Sequence, residues 1–305
     1  MQKNLTLNLM RAFILSLGCF LLCAPTVVAL PQTPDCESRF SLSKCVSSVA
    51  QIVPEMVGAK VVYLGETHDS AQDHENQLKI IQELHKRNKK IAIGMEMFQR
   101  PFQNVINQYL AGKISEEELV KQTEYEKRWG FDWELYAPIV RFAKANNLPV
   151  LALNTPTEIT RKVSRQGLES LTPSERKLIP PFSEIRTSPE AYRKMVLAAF
   201  TAHQTGGHGN SSSAERFFLA QVLWDETMAE SIASFIKSNP DYQMVVLAGQ
   251  GHIVYNYGIP SRVERRLKGK PITQRSVLLS PPEDTDLPKN KKIADFIWHR
   301  VRENH

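Results

Sequence analysis

Cysteine is scarce in this sequence. The chain has 305 residues and four cysteines, and none of the four forms a C-x-x-C pair, which argues against a zinc or iron–sulfur site built from thiolates. Cys19 and Cys23 lie in an apolar N-terminal segment, so that only Cys36 and Cys45 remain in the body of the chain. We predict a small local disulfide between these two in a compartment that permits oxidation. Two unpaired thiols are the alternative.

The sequence also lacks a concentrated basic block and a motif for covalent haem attachment. Its formal net charge is +6, and acidic and basic residues are interspersed along the chain. A nucleic-acid-binding face would need clustered Lys and Arg side chains. We therefore expect no nucleic-acid partner.

Residues 1–29 have the features of a signal peptide. Lys3 and Arg11 precede an apolar segment at residues 12–23, and a small-residue pattern ending at Ala29 follows it, as at a signal-peptidase site. We predict an exported protein, periplasmic or membrane-associated. Removal of the peptide would lower the formal net charge from +6 to +4.

Two kinds of membrane attachment are alternatives to simple cleavage. A transmembrane anchor would use the same apolar segment, which is short for a membrane span. A lipid anchor would use Cys19, although Ser16 stands where a lipobox normally has leucine.

Four short apolar runs predict strands of a parallel sheet that is buried on both faces, since each run is rich in β-branched residues and nearly uncharged. They lie at residues 60–64, 91–94, 150–153 and 244–248. Polar residues follow each run where the strand would end: Glu66 and His68, Glu96, Asn154, and His252. The carboxyl ends of parallel strands share one edge of a sheet, so these side chains are predicted to converge on one crevice.

Helical patterns separate the strands, and the chain is predicted to be an α/β protein with a mostly parallel central sheet flanked by helices. Residues 51–290 form the main domain, preceded by an N-terminal segment at 30–50 and followed by a C-terminal helix at 291–305. Residues 156–240 are predicted to be a helical insertion, or lid, before the fourth main strand. Asp225 falls on the apolar stripe of its last helix, as a structural anchor or a site residue.

Glu66, His68, Glu96 and His252 are the candidate catalytic and metal-binding residues. Both histidines stand in a Gly-x-x-His stretch directly after a strand. Imidazole and carboxylate groups could hold a divalent metal such as zinc with an open position for water. A carboxylate beside a histidine could also act as a general base without a metal.

Haem is the other ligand that the residues allow, since it requires an axial His, Tyr, Cys or Met ligand. His74 is predicted to point inward near the end of the first strand. Arg100 could meet an anionic group with two parallel hydrogen bonds. The full set of haem-pocket candidates is His68, His74, Arg100, His252, Tyr255 and Tyr257.

Several motifs taken together resemble the ChaN-like haem-binding proteins. They are the stretch Leu64-Gly65-Glu66-Thr67-His68-Asp69 with Asp73-His74 and Gln77, Met95-Glu96-Met97-Phe98 with Arg100, Trp129-Gly130, Trp133, Tyr136, Asn154, Gln221, Trp224-Asp225, Met228-Ala229, and Gly249-Gln250-Gly251-His252. The resemblance extends from about residue 55 to residue 280. It also connects the chain with a wider group that includes the Tiki metalloproteases and the erythromycin esterases.

This resemblance implies an exported α/β protein that takes up or carries haem during iron acquisition, with a homodimer as one arrangement. It implies a tyrosine ligand to the haem iron, for which we assign no position in this chain. His68, Glu96 and His252 match the motif positions of the protease and esterase relatives. A metal-dependent hydrolase is therefore the first alternative, with His68, His252 and one of Glu66 or Glu96 as metal ligands. An exported interaction protein without enzymatic activity is the second.

Overall fold

The computed structural model describes residues 36–205, 213–269, 272–281 and 290–299. The predicted signal peptide and Cys19 lie outside these residues, as do residues 300–305 at the end of the predicted C-terminal helix.

A single parallel sheet of seven strands organises the described residues, and it confirms the predicted fold class. The strands are β1 (Lys44–Val46), β2 (Val61–Glu66), β3 (Ile91–Gln99), β4 (Val150–Asn154), β5 (Gln243–Gly249), β6 (Gln274–Leu278) and β7 (Phe296–Trp298). Their order across the sheet is β1-β7-β6-β2-β5-β3-β4. Every residue of β2, β3 and β5 is buried, as expected for strands that are covered on both faces.

The fifth strand lies between the second and the third. Val61 of β2 pairs with Met244 of β5, and Ile91 of β3 pairs with Gln243 of the same strand. β4 then pairs with β3 at the edge. The four strands that the sequence predicts to end in polar residues are therefore direct neighbours, and their carboxyl ends lie side by side.

Helices cover both faces of the sheet. Those of the described residues are α1 (Cys36–Arg39), α2 (Val49–Met56), α3 (Ala71–Arg87), α4 (Gln103–Leu110), α5 (Glu116–Gln122), α6 (Tyr125–Arg128), α7 (Trp133–Ala145), α8 (Thr157–Gln166), α9 (Pro173–Arg176), α10 (Glu190–Thr205), α11 (Ala214–Ser238) and α12 (Ile259–Arg266). Alternate residues of β2 face opposite sides, as its pleat requires. Val62 and Leu64 pack in one core cluster with α3 and α7, and Val61 and Tyr63 pack in another with α11 and α12.

The segment between β4 and β5 contains the helices α8, α9, α10 and α11. Residues 206–212 of this segment lie outside the described part of the chain. No helix among the described residues is long and apolar enough to cross a membrane.

The N-terminal segment is tied to the far edge of the sheet. A disulfide joins Cys36 to Cys45, whose Cα atoms lie 6.1 Å apart. Cys45 belongs to β1, which pairs in parallel with β7.

The prediction of a C-terminal helix at residues 291–305 is wrong over its described part. Phe296, Ile297 and Trp298 form β7, which pairs with β1 on one side and with β6 on the other. Aromatic and β-branched residues fit a pleated, buried surface, and all three side chains are buried. The side chain of Asp295 accepts a hydrogen bond from the backbone N–H of Ser276 at 2.9 Å, which fixes the register at the start of this strand.

Candidate functional site

A cleft of about 440 Å³ opens at the carboxyl ends of β2, β5, β3 and β4. The strands and the loops after them provide its floor, while α8 and α11 provide a wall. The lining includes His68, Glu96, Asn154 and His252, with Met97, Gln99, Arg128, Trp129, Phe131, Thr155, Thr157, Thr160, Arg161, Ser164, Phe217, Ala220 and Trp224. The structure thus brings together residues from all four predicted strand ends.

His68 is held by a buried carboxylate behind it. Its Nδ1 lies 2.9 Å from Oε1 of Glu66, whose side chain is fully buried. A ring nitrogen that faces a carboxylate carries the proton, and this leaves Nε2 as the nitrogen available to a ligand. Burial opposes the charged ring, but the hydrogen bond to Glu66 and the charge of Glu96 outweigh burial and raise the pKa of His68.

Glu66 is itself fixed by two buried donors. The hydroxyl of Tyr136 donates to Oε1 at 2.6 Å, and Nε2 of Gln77 donates to Oε2 at 2.6 Å. His74 supports the same arrangement, because its Nε2 lies 3.0 Å from the carbonyl oxygen of His68. α3 positions both Gln77 and His74, and the helix begins after Ser70, whose hydroxyl accepts the backbone N–H of Asp73. His74 therefore lies behind His68 and does not line the cleft.

His252 lies between two carboxylates. Its Nε2 is 3.2 Å from Oε1 of Glu96, and its Nδ1 is 2.6 Å from Oδ1 of Asp225. Asp225 also accepts a hydrogen bond from the hydroxyl of Tyr192. The aspartate on the apolar stripe of α11 is therefore a partner of the site histidine.

These contacts determine the charge states of the buried groups. Burial alone would favour neutral forms, but Glu96 and Asp225 outweigh it and raise the pKa of His252 to about 10. The pKa of Glu96 falls to about 2, because His252, His68 and the N–H of Gly249 outweigh the effect of burial. The site therefore holds an imidazolium and a carboxylate as a buried ion pair at neutral pH.

Gly249 allows the ring of His68 to approach the end of β5. A Cβ atom at this position would lie 2.8 Å from Cε1 of His68 and 3.0 Å from its Nε2. Both distances are too short for a side chain to be present without a shift of the ring. The first glycine of the second Gly-x-x-His stretch therefore serves the histidine of the first stretch.

The side wall of the cleft is aromatic, which the sequence analysis did not predict. The ring of His68 contacts Trp129 edge-on at 4.8 Å between centroids and Phe131 at 5.0 Å. Trp224 of α11 lies 6.3 Å from His252 on the other side. The Trp-Gly-Phe sequence at residues 129–131 could have indicated this wall, because binding residues are often found on the loops between helices and strands.

Arg100 and the two tyrosines that were candidates for a haem pocket lie elsewhere. The guanidinium of Arg100 donates to the carbonyl oxygen of Thr227 and to the carboxylate of Glu230, both on α11. Tyr255 and Tyr257 stack on each other at 5.5 Å. None of the three lines the described cleft, because Arg100 turns toward α11 and the chain after His252 turns toward α12.

The geometry does not support the zinc alternative. Among the described residues, no group of three or more His, Cys, Asp or Glu side chains is arranged to hold a metal ion. Both nitrogens of His252 face carboxylates, and both oxygens of Glu66 accept hydrogen bonds from neighbouring side chains. The four candidate ligands are thus paired within the protein instead of pointing at a common centre.

The remaining polar groups of the cleft suit an organic anion with a flat apolar body. Arg128 and Arg161 line it together with the hydroxyls of Thr157 and Thr160. The hydroxyl of Thr155 is buried and has no hydrogen-bond partner among the described residues. Buried polar atoms normally have a partner, so this hydroxyl is an exception in the wall of the cleft.

The family described as "Haem-binding uptake, Tiki superfamily, ChaN" matches residues 52–263, which include every strand from β2 to β5 and all the site residues above. The chain belongs to this family. The ChaN-type assignment made from the motifs is thereby confirmed, and so is the link to haem-binding uptake proteins.

The chain is also similar to several individual proteins. A solved structure described as "Cofacial heme binding to ChaN of Campylobacter jejuni" is 19% identical, with a TM-score of 0.64 over 82% of this chain and 91% of that chain. An erythromycin esterase mutant, EreC, in its open conformation is 16% identical, with a TM-score of 0.45 over 75% of this chain and 72% of that chain. Protein RETICULATA-RELATED 5, chloroplastic, from Arabidopsis thaliana is 28% identical over 263 residues. These residues are 80% of this chain but only 34% of that protein, so the chain spans about one third of its relative.

Proposed function

We propose that this ChaN-family chain is an exported protein that binds haem for uptake or handling, and that the haem lies in the cleft beside His68. One observation carries the proposal. His68 presents its Nε2 to a cleft walled by Trp129 and Phe131, while Glu66 holds its other nitrogen. Binding pockets for ligands of this size are roughly 300–1,000 Å³ and mostly apolar with a few polar groups, and the cleft of about 440 Å³ falls in that range.

His68 is the residue that would hold the iron. His252 has both nitrogens engaged by carboxylates. The lining of the described cleft contains neither tyrosine nor cysteine, and its one methionine, Met97, is packed in the core and only 3% exposed. A carboxylate on the far nitrogen of a histidine makes the ring a stronger ligand and fixes its orientation. Bound haem would supply an iron centre whose potential responds to its axial ligand.

The rest of the cleft supports the other parts of the ligand. Trp129, Phe131 and Trp224 offer apolar faces for the porphyrin ring. Arg161 is placed to meet a propionate, because a guanidinium binds a carboxylate with two parallel hydrogen bonds. Arg128 also lines the cleft, but its guanidinium already pairs with Glu124 and Glu158.

Titration of the purified protein with hemin tests this proposal. We expect a saturable Soret band, with a maximum shifted from that of free hemin. His68→Ala should lose the shift, while His299→Ala, which changes a histidine that follows β7 and does not line the cleft, should keep it. A wild-type spectrum no different from hemin mixed with an inert carrier protein would rule out haem binding and leave the interaction-protein alternative. An unchanged Soret maximum in His68→Ala would rule out His68 as the ligand.

Export is the second part of the proposal, and the N-terminal pattern ending at Ala29 supports it. Expression of the full chain followed by N-terminal sequencing should give a product that begins at Leu30. An unprocessed product that stays in the cytoplasm would contradict export. Attachment through a lipid at Cys19 and assembly into a homodimer stay predictions, which mass spectrometry and light scattering of the purified protein would check.

A further inference from the structure

A second cavity of about 440 Å³ lies beside the C-terminal half of α11, away from the His68 cleft. We call it the arginine cavity. Its walls come from α11, α12 and the segment around the 3₁₀ turn Phe182–Glu184. The lining consists of Arg186, Lys237, Arg265 and Arg266, with Glu184, Glu230, Ser234, Pro181 and Ala233.

Glu226 is a fully buried carboxylate beneath this cavity, and its acceptor positions are saturated. Arg265 and Arg266 both contact its Oε2, while Nε of Arg262 lies 3.2 Å from its Oε1. The backbone N–H of Arg186 donates to Oε1 at 3.0 Å. One carboxylate therefore balances three guanidinium groups.

The charges around the arginine cavity do not balance. Arg266 also pairs with Glu184, and Arg100 pairs with Glu230 behind the wall. The full set of cations is Arg100, Arg186, Arg262, Lys237, Arg265 and Arg266, and the full set of carboxylates is Glu184, Glu226 and Glu230. Positive charges outnumber negative ones two to one in a recessed site, where low-dielectric walls strengthen the field.

Several donors at the walls of this cavity have no acceptor among the described residues. The side chain of Arg266 is 7% exposed, and its Nε is buried without a hydrogen-bond partner among the described residues. Arg186 and Lys237 line the cavity and form no side-chain ion pair with described residues. Burial lowers the pKa of Arg100 against the opposing effect of Glu230, and repulsion from Arg266 adds to the lowering.

We propose that the arginine cavity is a binding site for a phosphate-class oxyanion, separate from the haem cleft. Guanidinium groups bind phosphate oxygens with paired hydrogen bonds. Such an anion would offset the surplus positive charge and give the side chains of Arg186 and Lys237 an acceptor. The phosphate could belong to a small soluble molecule or to a phospholipid headgroup, since the same donors recognise both.

Calorimetric titration of the full-length protein with inorganic pyrophosphate tests the soluble source. We expect saturable binding that weakens about tenfold in Arg186→Ala and in Lys237→Ala, which corresponds to roughly 1.4 kcal/mol for each lost contact. Neither side chain holds the fold together, so both variants should unfold like the wild type. Lys113→Ala removes an equal charge from an exposed position after α4 and should bind pyrophosphate with unchanged affinity.

Sedimentation with phosphatidylcholine vesicles, with and without phosphatidic acid, tests the headgroup source. Binding that requires phosphatidic acid and is lost in Arg186→Ala and Lys237→Ala, but not in Lys113→Ala, would assign the site to a headgroup. The proposal is overturned if neither probe binds, or if all three variants weaken binding equally. Hemin titration of Arg186→Ala should match the wild type, which separates this site from the haem cleft.

Discussion

Nε2 of His252 lies 3.2 Å from Oε1 of Glu96, and the two side chains are only 9% and 7% exposed. Each group stabilises the charged form of the other, since the pKa of His252 rises to about 10 and that of Glu96 falls to about 2. Removing His252 would leave the carboxylates of Glu96 and Asp225 buried without the cation between them, and breaking a buried ion pair in this way is costly. The pair is therefore both part of the floor of the cleft and a sensitive point in the stability of the fold.

We expect His252→Gln to lower the free energy of unfolding by about 3–5 kcal/mol, the usual cost of breaking a buried ion pair. Urea denaturation followed by circular dichroism would measure it. His299→Gln is the matched control and should change the free energy of unfolding very little. A loss no larger in His252→Gln than in this control would show that the ion pair does not contribute to stability.

The stability of the ligand-free protein should depend on pH in a defined way. The raised pKa of His252 contributes stability that is fully present below pH 6.5 and lost as the pH rises through about 10. The lowered pKa of Glu96 contributes stability that is present above pH 4.5 and lost as the pH falls through about 2. The contribution of the pair is therefore greatest between pH 4.5 and 6.5.

The free energy of unfolding, measured at a series of pH values, should differ most between wild type and His252→Gln in that interval. The difference should shrink as the solution becomes alkaline. A difference that stays constant from pH 6.5 to pH 10 would mean that His252 is not charged in the folded protein.

Substitution of Gly249 by alanine should disturb the haem site without disturbing the backbone. The φ angle of Gly249 is −55°, which alanine adopts readily, but the new Cβ would lie 2.8 Å from Cε1 of His68. We expect the affinity for hemin to fall about tenfold or more, since small displacements of a positioned ligand have large effects. Gly251→Ala is a close control, because no atom lies within 4 Å of its added Cβ, and it should bind hemin like the wild type.

The disulfide between Cys36 and Cys45 closes a loop with a sequence separation of 9 residues. Loop-closure entropy predicts a stabilisation of about 2–3 kcal/mol for a loop of this length. The double substitution of Cys36 and Cys45 by serine should therefore lower the free energy of unfolding by that amount. Wild-type protein in excess reductant should have the same free energy of unfolding as the double variant. If reductant also lowered the free energy of unfolding of the double variant, the effect could not be assigned to this disulfide.

The sequence predicts the central strands because β2, β3, β4 and β5 are nearly continuous apolar runs. Such runs are typical of strands that are covered on both faces. It does not predict their order, because the insertion of β5 between β2 and β3 depends on contacts between distant segments. β1 and β7 have three residues each, too few to show a period. Residues 291–299 were mistaken for a helix for this reason.

For the candidate site too, the sequence predicts the residues that follow local patterns and does not predict those that depend on distant segments. His68, Glu96 and His252 could be selected because each follows a predicted apolar strand, and the structure brings them to one cleft. Glu96 lies within β3, which continues to Gln99. The partners that position them could not be selected in this way. Tyr136 reaches Glu66 from α7, and Asp225 reaches His252 from α11, across separations that no local pattern encodes. Tyr255 and Tyr257 were candidates for the haem pocket because they are near His252 in sequence, but neither lines the cleft.

The position of β5 has a consequence for how the chain matures. During synthesis β2 and β3 emerge first, and the edges that will flank β5 stay unpaired until residues 243–249 have been made. Pairing across such a long stretch of chain is slow to form. A nascent chain that already carries Glu66, His68 and Glu96 therefore has neither the sheet nor the second histidine that completes the cleft. The proposed haem cleft is therefore complete only when the middle of the sheet is filled by a strand from near the end of the chain.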